Sequence, residues 1–214
     1  MSPKQTKLIF ILDRSGSMAG LETDTIGGFN SLLAKQKALT GSCFVSTILF
    51  NEHADWFHDR VPIRQVPPLT ADDYVAGGST ALYDAIGTAI HHVGNQQKYA
   101  APGQRADQVL VVIITDGYEN SSVHYRASEI RQMITRQKQR FGWQFIFLGA
   151  NIDAEDTAGH LGIGAENASA YVADKQGTEL NYAAMERTVT NFRASGHIPA
   201  DALMPIRHDA HHRG

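Results

Sequence analysis

Two short, wholly apolar runs that each stop on an aspartate constrain this chain more than anything else in it. Leu8–Leu12 breaks off at Asp13, and Val109–Ile114 passes through Thr115 to Asp116. A strand without polar alternation needs cover on both faces, so each run belongs at the centre of a parallel sheet with helices on either side. Both are far too short for a bilayer, which takes roughly 20 apolar residues. In open sheets of this kind, ligand sites gather beyond the carboxyl ends of the strands, where the strand order reverses. The two aspartates stand at such ends.

The remaining segments fit the same architecture. Ile26, Phe29 and Leu33 mark a helix over 23–38, with Gly27 and Gly28 as tolerated weak points near its start. Residues 42–50 read as a second strand and 54–63 as a third, more polar one. The tight turn at Asn51-Glu52 forces that pair antiparallel, since a parallel return needs a dozen residues or more. The His, Asp and Arg of the third strand suit a sheet edge. Residues 64–79 read as a loop, Leu82, Ile86, Ile90 and Val93 define an amphipathic helix, and 94–105 reads as a surface connector. A helix over 122–141 carries Arg126, Arg131, Arg136, Lys138 and Arg140 on a solvated face. A fifth strand at 143–148, a short helix at 154–161, a strand at 168–173 and a helix at 178–192 complete the pattern. The fold class is α/β: a doubly wound, mostly parallel sheet with one antiparallel edge strand and helices on both faces.

The chain has 214 residues, which suits one domain over residues 1–195. Residues 196–214, with Pro199, Pro205, His208, His211 and His212, read as a surface or partly disordered tail. Terminal histidines without a cysteine companion favour that reading over a transition-metal site. The formal charge of -3 excludes a general nucleic-acid footprint. Cys43, in an apolar strand, reads as a buried, inert thiol. The apolar stretch before Asp13 is too short for a signal-peptide core, so a cytoplasmic location, with no membrane partner, is the expectation. Asn120-Ser121-Ser122 and Asn167-Ala168-Ser169 then read as chance matches to the glycosylation pattern.

Three strand-end segments collect oxygen donors. Asp13, Ser15 and Ser17 follow the first strand, Thr80 precedes the Leu82 helix, and Asp116 ends the most hydrophobic strand. Taken singly, each has a plain account as a helix cap or a turn residue. Together, two carboxylates and three hydroxyls point to a hard divalent cation such as Mg²⁺ or Mn²⁺, rather than an ion that seeks thiolate or imidazole. Two aspartates only balance such an ion, so a carboxylate from a protein partner suits its remaining position. That makes a recognition site, and no chemistry is required of it.

Those residues carry a resemblance. Asp13-Arg14-Ser15-Gly16-Ser17, Thr80 within Gly77-Gly78-Ser79-Thr80-Ala81-Leu82, and Asp116 within Ile113-Ile114-Thr115-Asp116-Gly117 are similar, in order and spacing, to the metal loops of von Willebrand factor type A domains with a metal-ion-dependent adhesion site. The resemblance spans roughly residues 6–193, and all five metal positions are filled. It implies a Rossmann-like fold with an antiparallel third strand, Mg²⁺-dependent binding of protein partners, and a partner Asp or Glu on the ion. Tyr118–Ser122 and Gly142–Asn151 resemble intracellular microbial members, and the leading expectation is a protein-binding module that serves as a subunit or regulator of a larger assembly. The rival reading is a metal-dependent phosphatase or other hydrolase on a Rossmann-like sheet. Such an enzyme places a second acid two residues after the first, whereas Ser15 stands there, and neither Glu119 nor His124 has a clear catalytic partner. No phosphate-binding or dinucleotide fingerprint is present.

Overall fold

A computed structural model describes residues 4–214; Met1–Pro3, the first residues of the expected domain, lie outside the described residues. The strands are β1 (Thr6–Asp13), β2 (Cys43–Phe50), β3 (Ala54–Pro62), β4 (Gln108–Asp116), β5 (Gln144–Ala150) and β6 (Ala168–Ala170). The helices are α1 (Glu22–Ala38), α2 (Leu82–Tyr99), α3 (Ala127–Phe141), α4 (Ala154–His160), α5 (Lys175–Ser195) and α6 (Met204–Arg213). One sheet runs β3-β2-β1-β4-β5-β6, parallel throughout except for the β2–β3 pair at the edge. From β1 the chain winds outward to β2, then returns to place β4 on the other side of β1. The loops after β1 and β4 therefore part from each other and leave a crevice at the carboxyl edge.

The apolar runs build two cores. Leu8, Phe10 and Leu12 of β1 face a layer made by α1, α5 and α6, while Ile9 and Ile11 face α2, α3 and α4. All residues of β1 and β4 are buried, and each large apolar side chain so covered contributes about 1.5–3 kcal/mol. Phe10 meets Phe29 of α1 edge-on, with ring centroids 5.2 Å apart. Gly28 explains itself here: the ring of Tyr182 on α5 lies where a Cβ would stand, so the helix-weakening residue lets two helices close.

Element boundaries differ from the sequence expectation where polar residues make tertiary contacts. The helix expected to give way to a connector at residue 94 continues to Tyr99. Gln97 both donates to and accepts from the Ala106 backbone at 3.1 Å, and the Lys7 ammonium donates to Gln96, so these polar residues hold the helix down. α3 starts at Ala127 rather than near 122, because side-chain carboxylates capture the backbone N–H groups of residues 121–125. β6 is only three residues long.

The segment expected as a surface or partly disordered tail contains α6, with Leu203 and Ile206 buried in the α1/α5 layer. Arg207 donates to the Ala165 and Ala168 carbonyls, and Arg213 pairs with Asp174, the N-cap of α5. Two apolar anchors and two arginines suffice to dock it, a pattern too sparse to register as periodicity. Cys43 is buried, and burial pushes its thiol up to about 11. No helix among the described residues is long and apolar enough to cross a membrane.

Candidate functional site

The three loops that carry the predicted donors are tied together by hydrogen bonds. Gly16 N–H donates to the Gly78 carbonyl at 3.0 Å and Gly77 N–H to the Arg14 carbonyl at 2.9 Å, which fastens the first loop to the one carrying Thr80. The Ser17 hydroxyl donates to the Asp116 carbonyl, fastening the first loop to the end of β4. Thr80 N–H donates to Asn120 Oδ1 at 2.8 Å, and Asn120 N–H returns to the Thr80 carbonyl at 3.0 Å, closing the ring between the second and third loops. Gly78 has φ of +81°, and a Cβ there would run into the Glu52 carboxylate. Only glycine takes that backbone cheaply.

Within this ring four of the five side chains are buried, Ser17 being exposed, and most are already hydrogen-bonded. Asp13, Ser15, Thr80 and Asp116 are all buried. Asp13 Oδ1 accepts from Ser15 N–H at 2.7 Å, and its Oδ2 accepts from the Thr115 hydroxyl at 2.6 Å and from Asp116 N–H at 3.3 Å. Ser15 Oγ and Ser17 Oγ lie 3.1 Å apart. Asp116 Oδ1 accepts from the Asn151 amide. The Thr80 hydroxyl makes no hydrogen bond among the described residues, which leaves an oxygen free.

The electrostatics are one-sided. Burial raises the Asp13 carboxyl above its ordinary range, against the pull of its hydrogen bonds. Burial also raises Asp116, and the nearby Asp13 charge adds to the effect. No Lys, Arg or His among the described residues forms an ion pair with either; Arg14, the closest in sequence, pairs with Asp55 instead. Two carboxylates buried side by side without a counter-charge are costly. A hard cation among oxygen donors is the group that fits them. Among the described residues no three His, Cys, Asp or Glu side chains group to hold a metal, so any ion here depends on hydroxyl oxygens for most of its protein ligands.

Several residues of the site had no signal strong enough to single them out. Asn120 and Asn151 look like ordinary turn residues in the sequence, yet each orients a donor. Asn151 sits in the left-handed region, with φ of +55°, a conformation asparagine tolerates. Tyr74, fully buried below the site, donates to the Asp13 carbonyl. Asn51 donates to the Gly77 carbonyl at 3.1 Å.

Glu119 is engaged by backbone N–H groups and His124 through its own backbone. Glu119 accepts from Tyr83 N–H at 2.9 Å and from the Ser121 and Ser122 N–H groups at 2.8 and 2.7 Å, holding the start of α2. His124 is exposed, with its backbone N–H donated to Asp84. The terminal histidines His208 and His212 lie side by side on α6, 4.1 Å between centroids with their rings tilted by 42°, and form no metal-holding group among the described residues.

No family model and no curated protein matches the sequence. Solved structures do. A von Willebrand factor type A protein from Catenulispora acidiphila is similar over 86% of this chain and 42% of its own, at 16% identity and a TM-score of 0.55. The D319A mutant of the PilB minor pilin from Streptococcus sanguinis is similar over 91% of this chain and 64% of its own, at 12% identity and a TM-score of 0.58. The ArnB paralog VWA2 from Sulfolobus acidocaldarius follows, over 88% and 45%, at 16% identity and 0.54. This chain thus spans less than two thirds of the length of each. The likeness, together with a mostly parallel sheet bearing one antiparallel edge strand, gives the chain the Rossmann-like fold of von Willebrand factor type A domains.

Proposed function

We propose that this chain is a divalent-metal-dependent protein-binding module of the cytoplasm, a subunit or regulator of a larger assembly rather than an enzyme. Asp13, Ser15, Ser17, Thr80 and Asp116 would hold Mg²⁺ or Mn²⁺. Once bound, the ion would supply positive charge and an open position for an Asp or Glu carboxylate of the partner. The observation that carries this reading is the pair of buried, uncompensated carboxylates, Asp13 and Asp116, within a ring of three hydrogen-bonded loops. The chain's own residues supply orientation. Thr115 and Ser15 hold the Asp13 carboxylate from both oxygens, Asn151 aims Asp116, and Asn120 fixes the Thr80 backbone.

Calorimetric titration with Mg²⁺ and Mn²⁺, followed by capture of partners from the native extract with Mg²⁺ or chelator, tests the proposal. Wild type is expected to bind one ion and to hold its partner only with metal, and Asp116→Ala to do neither. A partner retained equally under all conditions counts against the metal bridge. Turnover of a phosphate ester that vanishes in Asp13→Asn would replace this reading with the hydrolase one.

A further inference from the structure

At the opposite edge of the sheet, a cavity of about 430 Å³ opens between the C-terminal halves of α2 and α3, over the starts of β4 and β5. That volume is the size of a small organic ligand's site. Its floor is apolar: Ile90, Val109, Met133 and Trp143, with Phe141 standing at its side, 58% exposed. Its rim is cationic: Lys98, Arg105 and Arg136, joined by His91, and the lining contains no Asp or Glu. In a chain whose acids outnumber its lysines and arginines, 22 to 19, that one-sided lining is a local departure.

The rim cations differ in what they already do. Arg105 donates to the Gln97 and Lys98 carbonyls at 2.8 and 3.3 Å, so it covers the last carbonyls of α2, which would otherwise repel an anion. Lys98 lies over the Tyr99 ring at 4.9 Å and has no carboxylate partner among the described residues. Arg136 makes neither an ion pair nor a hydrogen bond among them. Gly94 adds an independent observation. It sits in mid-helix at the cavity wall, where a Cβ would meet only the Gln137 amide at 3.5 Å, an ordinary contact. Neither backbone conformation nor crowding demands glycine there, and its effect is to leave the cavity open.

We infer that this cavity binds an amphiphilic organic anion, a flat apolar body carrying a carboxylate, sulfonate or phosphate. The body would lie against Trp143, Val109 and Met133, and the charge would meet Lys98 and Arg136. The site is separate from the carboxylate ring, since β4 alone carries the chain about 23 Å from Val109 to Asp116 at the usual rise per residue.

The test uses 8-anilinonaphthalene-1-sulfonate and its uncharged counterpart N-phenyl-1-naphthylamine, titrated into the ¹⁵N-labelled full chain. The sulfonate is expected to shift the Trp143 indole N–H and the amides of 94–98 and 133–137. The neutral compound should bind at least tenfold more weakly. The double variant Lys98→Glu/Arg136→Glu, changed only at exposed positions, should lose at least tenfold in affinity with an otherwise native spectrum. Gly94→Leu should lose it by filling the cavity, and if that variant does not fold, the charge-reversed one decides. Equal affinity of the neutral compound, retained affinity in the charge-reversed variant, or shifts mapping elsewhere would each overturn the assignment. So would a glutamate-rich peptide shifting the same peaks where the sulfonate does not, which would give the groove to a protein.

Discussion

The two edges of the sheet solve opposite electrostatic problems. At the carboxyl edge, two buried aspartates lie close together without an ion-pair partner among the described residues, held by backbone hydrogen bonds among three loops. At the amino edge, cations without carboxylate partners ring an apolar cavity walled by helix side chains. One edge is built from backbone and lacks positive charge; the other is built from side chains and lacks negative charge. Polar groups left in such states in an otherwise well-packed molecule are candidate ligand sites. The difference also sets what can be changed. Loops tied by their backbone tolerate little, while exposed rim side chains can be replaced without touching the fold.

The largest break in this contrast is expected at Asp84. Its carboxylate gathers the backbone N–H groups of Val123, His124 and Tyr125 at 2.8–3.2 Å, anchoring the loop beyond Asp116 to α2. Asp84→Ala leaves three donors without a partner, at about 3 kcal/mol of stability. Denaturant melts should show the loss, and Mg²⁺ affinity should fall with it while dye binding at the other edge survives.

His58 comes next, and it separates acid sensitivity of the fold from that of the carboxyl edge. The ring is buried and so neutral at pH 7; its Nε2–H donates to the Pro67 carbonyl at 3.1 Å, which leaves Nδ1 to accept from the Thr47 hydroxyl at 2.9 Å. Burial lowers it from 6.5 to about 4. The unfolded chain therefore takes up the proton first. Stability is fully present above pH 6.5 and falls as pH drops toward 4, by about 3 kcal/mol. His58→Gln should remove that limb from stability measured across this range.

Asp116→Asn sharpens the contrast with a smaller effect of opposite sign. A carboxyl raised by burial stabilises the fold only while protonated, so its contribution is complete below the ordinary carboxylate range and is lost as pH rises through its raised value. Metal-free Asp116→Asn should then melt above metal-free wild type at pH 7, the gap closing below pH ~4. Added Mg²⁺ should stabilise wild type alone. The smallest effect belongs to the amino edge. Gly94→Ala, with room for its Cβ, should raise stability by about 0.5–1 kcal/mol and leave Mg²⁺ binding unchanged.

Much of this was legible in the sequence because period and punctuation are local properties. Short apolar runs without alternation, bounded by turn residues, read as central strands, the short Asn51-Glu52 turn makes an antiparallel pair, and Asp13 and Asp116 stand at the ends of such strands. The five oxygen donors could be chosen for the same reason. Tertiary structure decided the rest. Asn120, Asn151 and Tyr74 serve the carboxyl edge only because distant loops meet there. α6 docks through two apolar residues and two arginines whose partners lie in other elements. The cationic cavity arises from two helices and two strand starts that share no sequence pattern. Helical and strand periods are set by neighbours along the chain, whereas the pairing of a buried charge or the emptiness of a groove depends on which surfaces folding brings face to face.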